Sequence, residues 1–331
     1  MKKLAVLVVV LAGVAAWYLY IYAPAKRRRA ASEVAYVLPD SLPVFDTTAV
    51  IRRVLVTYHS GQAVRVAARV GGWAKLALPG GGTGWVHQAD LVDSATYEKG
   101  LALIRAIASR QAQANGHTIR PVSIRLAPSR NSLKLGEFAS DTALDVYDRR
   151  IIEASPNPGA SRRKDVWYLV SGGQRGGWIL GRFVDLDVPL GLQPYAQGIN
   201  MVAWLVLDTV NDGGRAVPQY LAADRIGVEN FDFNHIRVFT WWVKRHKYVT
   251  AYVESGVDGF FPITVMHEGS VPYFRLRLVD NQGDKYQKVY GLFDTIVKRM
   301  GTVEGWTSGA MPEPAKRARR HRRRRRSRAT L

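Results

Sequence analysis

The sequence predicts a mainly β protein: an N-terminal transmembrane helix, two small β-barrels with a connecting helix, then an antiparallel β-barrel or sandwich. Three observations carry this. Residues 71–92 (GGWAKLALPGGGTGWVHQADLV) and 165–186 (DVWYLVSGGQRGGWILGRFVDL) repeat one pattern: a Trp opening a strand, a Gly-rich turn, a second Trp after Gly, then Asp-Leu. Such segments form hairpins, because Gly tolerates the positive φ of tight turns, and finding two argues for duplicated small barrels rather than one large enzyme core. Leu4 to Ala23 is a twenty-residue run without charge. Period-two hydrophobic patterning dominates elsewhere, except between Ser94 and Ala114.

The 331 residues hold two or three domains of ordinary size, and 47% hydrophobic content is enough for packed cores. With no Cys, disulfides and thiolate chemistry are excluded. The formal charge of +20 belongs to the ends. Lys2, Lys3 and Lys26 to Arg29 flank the apolar run, ten Lys and Arg crowd residues 316–331, and the chain between carries 31 basic against 27 acidic residues. Electrostatic partners are therefore sought at the termini.

Residues 1–30 read as a membrane anchor with basic flanks. Twenty residues at about 1.5 Å each span roughly one bilayer core, and Trp17, Tyr18, Tyr20 and Tyr22 crowd one end as an interfacial belt does. A signal peptide cleaved near Val14, Ala15 and Ala16 is the competing reading. Flanking charges do not fix orientation; the expected location is the cytoplasmic membrane, single-pass.

Residues 31–93 form the first barrel. Its elements are AYVLPDSLPVFD (35–46), Gly61 to Val66 with the spacing G-x-x-V-x-V, and the Trp73/Trp85 hairpin. Val64, Val66 and Ala68 alternate as a half-buried strand requires. Residues 94–116 are the connecting helix: Leu101, Ile104, Ile107 and Ala108 share a helical face, and Asn115-Gly116 ends the run. Residues 117–188 are the second barrel, with Ala143 to Tyr147 as the counterpart of Val64 to Ala68 and a Pro/Gly/Ser-rich loop over 155–163. The two hairpins resemble the distal half of a bacterial SH3 (SH3b) domain, W-x-x-V, turn, G-W-V. With the anchor, the chain resembles membrane-anchored multi-SH3 bacterial proteins of unknown function. That resemblance implies cell-wall or peptide binding, a place in the cell envelope, and a soluble part outside the cytoplasm.

Residues 189–312 lack the repeat and show paired β runs: MVAWLVLDTV, HIRVFTWWV with HKYVTAYVE, FFPITVM with YFRLRLVD, and KYQKVYGLF with TIVKRM. Asn281 to Asp284 is a hairpin turn. About seven antiparallel strands make a closed barrel or a sandwich. Residues 313–331 are an Arg-rich disordered tail.

Motifs for chemistry are few. Pro79 to Gly84 lacks the Lys-Ser/Thr and following helix of a phosphate loop, so it reads as a hairpin turn. The seven His show no metal spacing and no G-x-S-x-G elbow occurs. No catalytic residue, metal or cofactor is assigned. Trp73 and Trp167 are the ligand-groove candidates, since the resemblance places the Trp of W-x-x-V in the groove; a core role for both stays open, while Trp85 and Trp178 are expected to pack. Arg322, Arg323, Arg324, Arg325 and Arg326 are polyanion candidates, because each Arg–phosphate contact releases counterions. The expectation is a non-enzymatic envelope binding or scaffold protein, with SH3-like grooves on peptide or peptidoglycan and the tail on anionic polymers. Two alternatives are an enzyme with its site in 189–312, where His235, His246 or His267 would meet Glu254 or Asp258, and a reversed topology in which the tail tethers nucleic acid.

Overall fold

The computed structural model describes residues 33–153, 164–227 and 230–306. They form three seven-stranded antiparallel sheets. The first comprises β1 (Glu33–Val37), β2 (Leu42–Phe45), β3 (Val54–Tyr58), β4 (Ala63–Val70), β5 (Trp73–Ala77), β6 (Thr83–His87) and β7 (Leu91–Asp93), ordered β3-β2-β6-β5-β4-β1-β7. Helix α1 (Ser94–Ala108) follows. The second comprises β8 (Ala114–Thr118), β9 (Val122–Arg125), β10 (Lys134–Phe138), β11 (Ala143–Glu153), β12 (Lys164–Gly172), β13 (Arg175–Leu180) and β14 (Val184–Leu186), ordered β10-β9-β13-β12-β11-β8-β14. Subtracting seven from each label turns one order into the other, so the duplication seen in the hairpins extends through the whole sheet.

Pairing registers align the copies residue by residue. Val70, Arg69 and Ala68 of β4 face Trp73, Ala74 and Lys75, while Arg150, Arg149 and Asp148 of β11 face Trp167, Tyr168 and Leu169. A bulge follows at the same place in both, between Val66 and Ala68 and between Val146 and Asp148. Trp73 is thus equivalent to Trp167, and Arg69 to Arg149.

After α2 (Gln193–Ala196) the third sheet is an up-and-down meander in sequence order: β15 (Asn200–Asp212), β16 (Arg215–Arg225), β17 (Phe233–Trp242), β18 (Lys247–Glu268), β19 (Val271–Val279), β20 (Lys285–Phe293) and β21 (Ile296–Glu304). It curls around one apolar cluster that draws Leu205, Leu221, Ile236, Phe261, Leu276 and Tyr290 from six of its strands. The 280–284 turn is closed by the Asp280 carboxylate, which accepts the amides of Gln282 and Asp284 at 2.9 Å each.

The described residues fall into two compact units: 33–108, 120–140 and 174–179 in one; 109–119, 141–173 and 180–306 in the other. Of the second sheet's strands, β9, β10 and most of β13 belong to the first unit and β8, β11, β12 and β14 to the second.

Two expectations are corrected. The fold class included a transmembrane helix, but the described helices have 15 and 4 residues, and no helix among the described residues is long and apolar enough to cross a membrane. Leu4 to Ala23, on which that expectation and the single-pass location in the cytoplasmic membrane rested, lies outside the described residues. The connecting helix ends at Ala108 rather than at 116, and Asn115 and Gly116 belong to β8. Gly116 is there for close approach: a Cβ would collide with the Asp185 carbonyl on β14, the neighbouring strand.

Candidate binding surface

Alternation along β2, β5 and β6 sorts side chains into two faces. Leu42, Val44, Ala74, Leu76 and Val86 point into the first sheet's core. Phe45, Trp73, Lys75, Trp85 and His87 lie on the opposite face, half-buried or exposed. Phe45 pairs with Trp85, and Trp85 with Lys75, so these three make one row across three strands. Trp73 and His87 pair in the next row and stack at 3.9 Å between ring centroids. Gly84 lets β6 approach β2 closely, since a Cβ there would run into the Val44 side chain. Gly81 and Gly82, at φ 88° and 82°, make the turn that returns the chain.

Cations edge this aromatic strip. The Arg52 guanidinium lies 4.1 Å from the Phe45 ring centroid and 5.3 Å from that of Trp73. Lys75 Nζ is 5.5 Å from Trp85. Arg52 comes from the 46–53 loop, closed at its base where the Arg53 amide donates to the Asp46 carboxylate at 2.9 Å and the Asp46 amide to the Arg53 carbonyl at 3.0 Å. Val50 and Ile51 at the loop tip are 96% and 92% exposed. Aromatic faces, an apolar tip and two cations on a sheet surface can grip a ligand with apolar and anionic groups at low entropic cost.

The second copy differs. Trp167 is only 2% exposed, and Trp178, the counterpart of Trp85, is buried as well. Arg125 pairs with Trp178 where Phe45 pairs with Trp85. Of the two groove candidates, Trp73 therefore offers a face to solvent and Trp167 lies in the interior. Trp85, expected to pack, instead shares the open strip; its place opposite Phe45 depends on a register that no local motif encodes. Arg322 to Arg326 lie outside the described residues.

In the third sheet the three histidines go to separate partners. His235 Nδ1 meets Asp224 at 2.9 Å, beside the Arg237 fork on the same carboxylate. His246 Nδ1 meets Asp212 at 2.7 Å, and that carboxylate also accepts Trp241 Nε1, so its pKa is held down by both hydrogen bonds. His267 Nε2 lies 3.0 Å from the Leu207 carbonyl. Glu254 is bonded by Lys288 at 2.6 Å, Tyr252 at 3.0 Å and Tyr290. Burial alone raises its pKa, and those donors outweigh it, leaving the carboxyl below its usual range. Among the described residues no group of three or more His, Cys, Asp or Glu is placed to hold a metal ion.

No known family matches this chain, and no curated protein does. Among solved structures it is similar to NlpC2 from Trichomonas vaginalis at 9% identity, covering 84% of this chain and 99% of that one, with a TM-score of 0.18. NlpC1 from the same organism aligns at 9% identity over 83% and 94%, TM-score 0.17. An NlpC/P60 family protein from Bacillus cereus aligns at 11% over 80% and 98%, TM-score 0.20. Overlap at these scores does not define a shared fold.

Proposed function

We propose that this chain is a non-enzymatic binding protein, and that the outer face of its first sheet takes an extended peptide or peptidoglycan strand. The observation that carries the reading is the strip of Phe45, Trp73 and Trp85 edged by Arg52 and Lys75. Aromatic side chains supply much of the energy in shallow binding sites, and an extended ligand can lie along the row of rings. Arg52 and Lys75 select ligands that bring carboxylates to the rings. The Trp/Gly hairpins, read as SH3-like, point the same way. Arg322 to Arg326 add a salt-sensitive contact with polyanions.

Retention on purified sacculi tests this. Trp73→Ala and Arg52→Glu should each lower the retained fraction by about threefold to tenfold, the loss of ~1 kcal/mol or slightly more per anchor. Val253→Ala, an exposed change on β18, should leave it alone. Equal retention of the folded Trp73 and Arg52 variants would remove the strip from the account.

A further inference from the structure

A second cleft, of about 340 Å³, lies wholly within the other compact unit, where four strand ends meet. Lys164 begins β12, Leu180 ends β13, and Asn200 and Arg225 face each other across the open end of the β15–β16 hairpin. A 3-10 turn, Gly181–Phe183, brings Arg182 to the rim. Arg149 and Tyr168, both buried, also line it. Four cations thus converge with one carboxylate, Asp165, on a space at the small end of small-molecule sites.

The positions of these cations are held by groups that carry no charge as well as by acids. Lys164 Nζ donates to the Asn230 side-chain carbonyl at 2.8 Å, and Arg225 Nε to the Phe231 main-chain carbonyl at 3.3 Å. Arg149 is anchored by Asp232 at 3.1 Å, yet its buried Nε has no hydrogen-bond partner among the described residues. An orphaned guanidinium donor at a cleft is the kind of group that a ligand satisfies.

The first copy shows that the fold does not demand this charge. Its own cleft, about 330 Å³, is also built beside the equivalent Arg and the equivalent 3-10 turn. There Arg69 is gripped through two bonds by Glu33, at 2.9 and 3.3 Å, and Asp93 and Lys134 complete a balanced set. In the second copy, Ala114 stands where Glu33 would be, because each pairs with the matching Val of its neighbouring strand. Arg182 likewise stands in the turn where the first copy has Ala89. At these two equivalent positions the first copy carries an acid and an Ala, the second an Ala and a base.

We propose that this second cleft binds a small phosphate-bearing ligand, a phosphate monoester or a diphosphate. Three Arg and a Lys meet the several oxygens of such a group, and the Tyr168 hydroxyl and Asn200 amide are neutral donors for the remainder. The reading is independent of the aromatic strip.

Calorimetric titration of the full chain with inorganic pyrophosphate tests it, with citrate as the carboxylate probe and Arg65→Glu as the charge-matched control on an exposed strand position. Lys164→Glu and Arg182→Glu, both exposed and compatible with folding, should each weaken pyrophosphate binding at least tenfold. Arg65→Glu should change it less than twofold, and citrate should bind at least tenfold more weakly than pyrophosphate. Unchanged binding in the cleft variants, equal loss in all three variants, or citrate binding as tight as pyrophosphate would each overturn the proposal. If one cleft variant unfolds, the other decides.

Discussion

Asp148 is a buried carboxylate that accepts the Arg149 amide at 2.8 Å and meets Arg150 at 3.0 Å. Burial wins over both and raises its pKa to about 6 from the 3.8 of an ordinary Asp. A carboxyl with a raised folded pKa holds its proton more tightly when folded, so its stabilising contribution is present below pH 3.8 and is lost as pH rises to about 6. Asp148→Asn keeps an oxygen for the amide but does not titrate. Relative to it, the wild type should lose on the order of 2 to 3 kcal/mol between acid and neutral pH, measured as urea midpoints at each pH. Parallel profiles would show an unperturbed carboxyl. At this scale the sequence was only partly legible. The hairpin motif identified Trp73 and Trp167 as equivalents, which the registers show them to be, but one is open and the other buried. A motif encodes a position in a strand; burial depends on the surrounding chain.

Strand β18 runs 22 residues, from Lys247 to Glu268. Its Ser, Gly and Asp near the middle read as a break between two strands, and alternation on either side was correctly legible as β. What the residues could not reveal is a partner exchange: the first half pairs with β17, the second with β19, and Gly259 pairs with Phe233 on one side and Leu278 on the other. A Cβ on Gly259 would press into the ring of Phe233, which is fully buried. Gly259→Ala should therefore destabilise by about 1 to 3 kcal/mol through overpacking, although Ala normally suits a strand better than Gly. A variant that melts with the wild type in a thermal scan would show the ring free to move. The helix boundary has a similar lesson: Asn115-Gly116 has the composition of a helix stop, and the close approach of β14 is what uses the glycine.

Over the whole molecule, Gln113 ties together segments 150 residues apart in sequence. Its side chain takes the Ile263 amide at 2.7 Å and donates to the Ile263 carbonyl at 3.0 Å, substituting for a strand partner beside the irregular stretch of β18. Its own amide donates to the Val146 carbonyl at 2.7 Å, and its carbonyl accepts the Trp204 amide at 2.8 Å. Gln113→Ala would leave two buried backbone groups of Ile263 unpaired, so unfolding in urea should fall by about 2 to 4 kcal/mol with one transition retained. A loss under 0.5 kcal/mol would mean that water replaces the amide. Nothing in the sequence marks Gln113, since a bond spanning 150 residues leaves no local pattern.

The first sheet is made from one unbroken stretch of chain, whereas the second divides its strands between units whose segments alternate along the polypeptide. The two copies therefore differ in how they can be inherited. Recombination with one breakpoint on each side of residues 33–93 would carry the first copy, complete, into another gene. Cuts on either side of the second copy, residues 114–186, would sever both units, whereas those around the first sever only one. The first copy is the easier of the two to move, and the second is built further into its host.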